Sequence, residues 1–253
     1  MRELYATPQE YEALFTTLTR PQVASKIKLG NEVLDIAAGS AYFSIEVAIK
    51  HPSVKITAVD IFQGSVDRAG ENIAARKLDD RITAIRMDAS DLDFPDQCFD
   101  TVVNYLGFED IHMTRGYGGV QKAIREVGRV LRPQGTFYFV AMPPDMMETE
   151  PQRLEVELFS WLCGATWLKS DEYISLLEEA GLVFRRKTPF YTGKKLTVDQ
   201  AKEEIEYACE YAPIHYNVET SSFREAWEKF GESIQRHGLG HYSKTVLFEA
   251  EKR

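Results

Sequence analysis

The stretch Glu32-Val33-Leu34-Asp35-Ile36-Ala37-Ala38-Gly39-Ser40-Ala41 decides the fold. Its first half is apolar enough for a short strand. Its second half is a run of small residues that turns the chain. Residues 42–50 then read as a helix with Phe43 and Val47 on one face, and His51-Pro52 ends it. A strand, a tight turn and a helix in that order open a βαβ unit.

Working outward, the same rhythm continues. Strands are expected over 54–60, 82–87, 99–105 and 136–142. Helices are expected over 63–77 and 120–131, the second closed by Arg132-Pro133-Gln134-Gly135. Such alternation predicts a parallel sheet with helices on both faces. Upstream, Thr7-Pro8-Gln9-Glu10 reads as a capped helix start, with Tyr11, Leu14, Phe15 and Leu18 at helical spacing. A short turn then runs to Ile27.

The pattern changes after Met142. Pro143-Pro144 opens a stretch rich in Met and Glu that reads as irregular. Ser170 reads as the cap of a helix reaching Ala180, ended by Gly181, and 182–190 as a sixth strand. Two helices follow, each opened by a capping box: Thr197-Val198-Asp199-Gln200 and Ser222-Phe223-Arg224-Glu225. The second carries the stripe Phe223, Trp227, Phe230 and Ile234. Gly238-Leu239-Gly240 stops it, and 244–250 is the last strand. The expected organisation is one domain over 1–253. It comprises a helical cap (1–30), an α/β core (31–194), a helical insertion (195–242) and the last strand (243–253). The insertion is expected to lie as a lid on the carboxyl end of the sheet, with its aromatic stripe packed there.

Composition narrows the function. The 253 residues carry a formal charge of −9, which disfavours a sequence-independent nucleic-acid binder. Three scattered cysteines, Cys98, Cys163 and Cys209, fit a reducing compartment rather than a disulfide framework. The start Met1-Arg2-Glu3-Leu4-Tyr5 shows no apolar signal core, and no apolar run approaches the roughly 20 residues of a bilayer span. A cytoplasmic protein without membrane attachment is expected. Glu210, His215, His237 and His241 match no zinc spacing, so no metal is expected. The basic cluster Arg185, Arg186, Lys187, Lys194 and Lys195 reads as a solvated face.

Ligands of open α/β sheets bind beyond the carboxyl ends of the strands. Four such ends carry suggestive residues: Asp35 with its small-residue turn, Asp60, Asp88-Ala89 and Asn104-Tyr105. Small residues let backbone N–H groups approach a ligand, and a carboxylate such as Asp60 can accept two hydrogen bonds from a ribose diol. Singly these are ordinary, since an Asp after a strand often caps a helix. Their conjunction is hard to reach by chance.

With those residues in view, Val33 through Ala41 resembles the first motif of class I S-adenosylmethionine (SAM)-dependent methyltransferases, Asp-x-Gly-x-Gly-x-Gly. Asp60 matches that family's ribose-holding acid. Asp88-Ala89-Ser90-Asp91-Leu92 resembles its adenine-side segment. Glu126 through Gly135 and Leu177 through Leu182 resemble the segments before its fifth and sixth strands. The resemblance implies a doubly wound, mostly parallel seven-stranded sheet whose final strand is antiparallel. It implies SAM as cofactor, S-adenosylhomocysteine as product, and Asp35, Ala37, Gly39, Ser40, Asp60, Ile61, Asp88, Ala89, Asn104 and Tyr105 as the residues around it. Two motif glycines are Ala37 and Ala41 here, so Gly39 is expected to hold the strained position. A dinucleotide fingerprint would need more glycines than this loop has.

Methyl transfer then needs an acceptor aligned with the methyl group, and a base if the acceptor is a hydroxyl or amine. Candidates follow the fourth strand: Tyr105, Glu109, Asp110, His112 and Tyr117. His112 is the first choice as base, since imidazole titrates near working pH. Tyr105 is the next, and reads also as a wall of the methyl site. The expected acceptor is a small molecule, with O, N, S and C acceptors all open. A protein or RNA methyltransferase and a non-catalytic SAM-binding regulator are the alternatives. The oligomeric state is open, and a homodimer is compatible.

Overall fold

The computed structural model describes residues 19–253, so the helix expected to start at Thr7 lies outside the described residues. A short helix α1 (Arg20–Ala24) leads into β1 (Glu32–Ile36), α2 (Tyr42–Lys50), β2 (Lys55–Asp60), α3 (Gln63–Ala75), β3 (Ile82–Arg86), β4 (Phe99–Tyr105), α4 (Phe108–Val130) and β5 (Leu131–Ala141). Then come α5 (Glu150–Cys163), α6 (Ser170–Glu179), β6 (Leu182–Tyr191), β7 (Lys195–Leu196), α7 (Val198–Tyr216), α8 (Phe223–His237), β8 (Leu239–Gly240) and β9 (Lys244–Lys252). Seven strands form one sheet in the order β3-β2-β1-β4-β5-β9-β6. Strand β9 lies between β5 and β6, antiparallel to both, while the β1–β5 pairings are parallel. This is the doubly wound sheet with an antiparallel last strand that the sequence resemblance implies.

Period-two alternation divides the strand side chains between two cores. Leu34, Ile36, Phe137 and Phe139 face α4 and α6, meeting Ile124, Val127 and Tyr173. Val33, Val103, Tyr138 and Val140 face the opposite side, meeting Val23, Val47 and Ile73 of α1, α2 and α3. Stacked rings of Phe139 and Phe248, 4.6 Å apart, tie β9 into the first core. No helix among the described residues is long and apolar enough to cross a membrane.

Three expectations need correction. The Met/Glu-rich stretch after Met142 is not irregular throughout. It contains α5, opened by a Thr149/Gln152 capping box and closed by Gly164 at φ 76°. Its signals were Thr149-Glu150-Pro151-Gln152 and the spacing of Leu154, Leu158 and Leu162. Second, the stripe on α8 does not pack on the sheet. Phe230 and Ile234 bury against Leu154, Leu158 and Leu162 of α5 and Ile205 of α7. An amphipathic helix takes the largest apolar partner within reach, and α5 supplies it. Third, Ser170 does not cap α6 with its side chain; its backbone N–H donates to Asp145 Oδ1 at 2.8 Å. The insertion between β6 and β9 is closed at its base by the β7–β8 ribbon, which pairs Lys195 with Gly240 and Leu196 with Leu239.

Candidate active site

The turn after β1 is held by its neighbours. Asp60, at the end of β2, accepts from the Gly39 N–H through Oδ2 at 2.8 Å and from the Phe62 N–H through Oδ1 at 3.0 Å. Ala38 N–H donates to Val59 O at 3.0 Å. The turn residues Ala37, Gly39 and Ala41 have φ of 48°, 54° and 61°. The expectation that Gly39 holds the strained position is thus corrected: Ala37 and Ala41 adopt positive φ as well. Left-handed conformations cost a non-glycine residue about 1–3 kcal/mol, and surrounding bonds must impose them. A Cβ on Gly39 would meet nothing within 4 Å, so its hydrogen faces open space.

Asp35 is buried beneath this turn. Its Oδ2 accepts from Ser44 Oγ at 2.5 Å, while Oδ1 has no partner. Burial lifts its pKa to about 7, and the charge of Asp60 adds to the effect. Asp88 is held by Ser90, through N–H at 2.8 Å and Oγ at 2.7 Å, and by Arg115 Nε at 3.1 Å. Those bonds outweigh its partial burial and hold its carboxyl below the usual range. Asn104 is fully buried and faces no cavity; its Nδ2 donates to Ile36 O at 2.7 Å, and its Oδ1 accepts from Gly107 N. It fastens the end of β4 to the end of β1.

Two cavities open at the carboxyl ends of the strands. The smaller, about 60 Å³, is bounded by Asp60, Ile61, Asp88, Ala89 and Ile111. The larger, about 280 Å³, begins at Ala37, Gly39, Ser40 and Tyr105 and ends against α5 and α7. Ala37, Gly39, Ser65, Asp110 and Tyr216 border both, so the two spaces adjoin at the turn.

The fourth-strand candidates separate clearly. Tyr105, Glu109 and Asp110 reach the larger cavity; His112 and Tyr117 border neither. Tyr105 ends β4, and the other four lie in α4, which starts at Phe108. Helical spacing places Glu109, Asp110 and Met113 on the cavity side and turns His112 away. His112, expected as the base, thus borders neither cavity. Tyr105 hydroxyl shares a hydrogen bond with Thr19 Oγ1 at 2.9 Å, and burial pushes its pKa to about 12, so it serves as a wall.

The far wall was not anticipated. It brings together Glu155 from α5, Trp167 from the loop after it, Glu204, Tyr207 and Tyr211 from α7, and His241 before β9. Glu155 Oε1 accepts from Tyr242 N–H at 2.7 Å while Oε2 is unpartnered. Burial lifts Glu155 to about 8, with the charge of Glu204 adding to it. Burial and then the charge of Asp110 raise Glu109 well above the carboxylate range. Burial lowers His241 to about 4, and the nearby Lys194 charge adds to this. The Trp167 indole lies close enough to Glu109 to ease its ionisation slightly, yet its N–H completes no hydrogen bond.

Known proteins resemble this arrangement at two levels. A family profile described as a methyltransferase domain matches residues 33–135, from β1 into β5. The 27-O-demethylrifamycin SV methyltransferase of Amycolatopsis mediterranei is 28% identical over 230 residues, 89% of this chain and 79% of that one. The demethylmenaquinone methyltransferase of Deinococcus radiodurans is 32% identical over 112 residues, spanning 44% of this chain and 43% of that one. By the family profile, residues 33–135 form a methyltransferase domain. Solved structures agree on the fold alone. The [4+2]-cyclase SpnF superposes with a TM-score of 0.63 at 18% identity, over 98% of this chain and 84% of that one. A putative methyltransferase of Bacillus halodurans gives 0.62 at 18%, over 94% and 99%.

The site has features that suit SAM. An unsatisfied carboxylate oxygen, Asp35 Oδ1, lies under the turn, and a positively charged amino group would satisfy it. Gly39 offers a surface that any side chain would intrude on. Asp60 and Asp88 border the smaller space where a nucleoside would lie. Of the residues expected around the cofactor, Ala37, Gly39, Ser40, Asp60, Ile61, Asp88, Ala89 and Tyr105 border the cavities, and Asp35 and Asn104 stand behind them.

Proposed function

We propose that this protein moves the methyl group of SAM onto a small-molecule acceptor held in the larger cavity. The observation that carries this reading is the junction of the two cavities at Ala37 and Gly39. A nucleoside in the smaller space would place the rest of the cofactor over the turn and into the larger one. When bound, SAM supplies a methyl group already activated by its positive sulfur.

The chain's own residues bind, orient and exclude water. Asp60 keeps acceptor capacity on both oxygens for a ribose diol, since each carboxylate oxygen has two lone pairs, one of them taken by the N–H of Gly39 on Oδ2 and of Phe62 on Oδ1. Asp88 and Ala89 take the adenine side, with Ile61 beside them. Asp35 neutralises the amino group from below, and Ala37, Gly39 and Ser40 line the methionine portion. Tyr105, stacked on Phe43 at 5.0 Å, walls the methyl position. The chamber is enclosed by α5 and α7, the latter being the part of the insertion that acts as the lid. Its volume, about 280 Å³, suits a compact molecule rather than a polymer threaded through a groove. Walls from the turn, α4, α5 and α7 raise effective concentration and limit the water that competes.

The test has two arms. Calorimetry should give saturable binding of SAM and none of NADH. Incubation with methyl-labelled SAM and metabolite fractions should then move label onto a small molecule. Binding of NADH in preference to SAM, or label passing only to protein or RNA, overturns the reading.

A further inference from the structure

Ala37, Gly39, Ser65, Asp110 and Tyr216 border both cavities, and Asp110 is the one acid among them. Among the described residues its carboxyl group pairs with no lysine or arginine and accepts one hydrogen bond, from the Tyr216 hydroxyl to Oδ2 at 3.5 Å. Oδ1 is left for a ligand. Asp110 is half-buried and opens on the cavities, whereas Glu109, Glu155 and His241 are 5%, 2% and 2% exposed, each with an enclosed side-chain atom. Glu204 borders the larger cavity only. Asp110 is thus the group placed at the junction to exchange a proton with a bound molecule.

Its surroundings set its strength as a base. Asp60 at the end of β2 and the neighbouring Glu109 carry acid groups near it. Cys163 of α5, Tyr211 and Tyr216 of α7 and Tyr242 before β9 are the other titratable groups that feel its charge. Burial, then the charge of Asp60, lifts Asp110 to about 7 against the pull of the Tyr216 hydroxyl bond. A base poised near working pH is free to accept a proton and strong enough to take one. Beyond it the larger cavity is walled by Phe159, Trp167 and the rings of Tyr207 and Tyr211, stacked 4.9 Å apart. Faces of that kind favour a flat ring.

We propose that Asp110 is the general base of methyl transfer and that the acceptor is a phenol, its ring in the aromatic chamber and its hydroxyl at the junction. This deepens the methyl-transfer reading above and rests on it. An aryl hydroxyl loses its proton near pH 10, as tyrosine does, within reach of such a base. An alkyl alcohol holds its proton about as tightly as water, near pH 16, and is a far poorer partner. In the step, Asp110 Oδ1 takes the hydroxyl proton. The oxygen's electron pair forms the new O–C bond as the methyl–sulfur bond breaks, and that bond's electrons stay on sulfur. The products are the aryl methyl ether, protonated Asp110 and neutral S-adenosylhomocysteine. A negative carboxylate and a positive sulfur at one junction both become neutral, so no charge is left stranded between the two cavities.

The experiment separates this proposal from the reading beneath it. The protein is incubated with methyl-labelled SAM and a mixed metabolite extract, and the labelled product is isolated. The label should sit on the oxygen of an aryl methyl ether. Label on carbon, nitrogen, sulfur or an alkyl oxygen overturns the phenol assignment while leaving methyl transfer standing. No label in any small molecule overturns both. With the same extract, the parent's transfer rate should rise over about pH 6 to 8, and a flat profile overturns the base assignment. These two measurements need no variant. Asp110→Asn keeps an acceptor for the Tyr216 hydroxyl and should lose the rise. Its rate should be lower by about 100-fold or more, with SAM affinity within about threefold of the parent. A rate within about tenfold of the parent, an unchanged pH rise, or SAM affinity falling as far as the rate overturns the base assignment, the last by making Asp110 a cofactor contact.

Discussion

The Gly39 backbone N–H donates to Asp60 Oδ2 at 2.8 Å, joining the turn after β1 to the end of β2. One carboxylate thus has two tasks, to hold the turn and to face the smaller cavity. Asp60→Ala removes both. Hydrogen bonds to charged groups contribute about 1.5–3 kcal/mol each, so SAM affinity should fall roughly tenfold to several hundredfold. The released turn should also lower the melting temperature by a few degrees. Calorimetry and thermal melting check the two effects, and an unchanged dissociation constant would reduce Asp60 to a backbone cap.

Ala37 and Gly39 share a positive φ but should respond oppositely to exchange. Ala37→Gly relieves a left-handed alanine at the expense of a freer unfolded chain. The expected net change in urea unfolding is between zero and about +1 kcal/mol. Gly39→Ala adds about 1 kcal/mol of strain and places a methyl group in open cavity space. SAM affinity should then drop by about tenfold or more. Destabilisation by Ala37→Gly beyond about 1 kcal/mol would mean the turn does not impose the strain its φ of 48° implies.

His112 should be dispensable. It lies on the side of α4 turned from both cavities, so His112→Ala should leave turnover within about twofold of the parent once an acceptor is in hand. A large fall in kcat with unchanged SAM affinity would restore it as the base and contradict the placement of α4.

The acid groups also set a pH dependence. Asp35 and Asp110 are lifted to about 7, and Glu155 to about 8, chiefly by burial. Between their ordinary values and these, the folded state holds more protons than the unfolded chain, so stability falls as pH rises. The ligand-free protein should melt highest near pH 5 and lose several degrees by about pH 8.5. SAM, whose positive charge favours the ionised carboxylates, should flatten the slope. A ligand-free profile that rises over the same range would contradict the burial of these groups.

Much of this was legible in the chain because it rests on local rules. Period-two strands, capped helices and the small-residue turn after Asp35 announce themselves over a few residues. Asp60, Asp88 and the turn were found by their places at strand ends. What escaped was local in part: Thr149-Glu150-Pro151-Gln152 opens α5 as clearly as the boxes at Thr197 and Ser222, but the surrounding Met and Glu hid it. The side to which His112 turns was not legible, because the face a residue presents depends on where its helix starts, here at Phe108.

The sequence by itself determined the alternating sheet, the turn at Gly39 and the acid at Asp60, because backbone propensity and short-range spacing encode them. Only the tertiary structure decided the far wall of the chamber. Glu109, Glu155, Glu204 and His241 come from four separate elements, and no periodicity relates them. The burial of Glu109, Glu155 and His241, and their raised or lowered affinity for protons, arise only once α5 and α7 close over the sheet and remove water from around them.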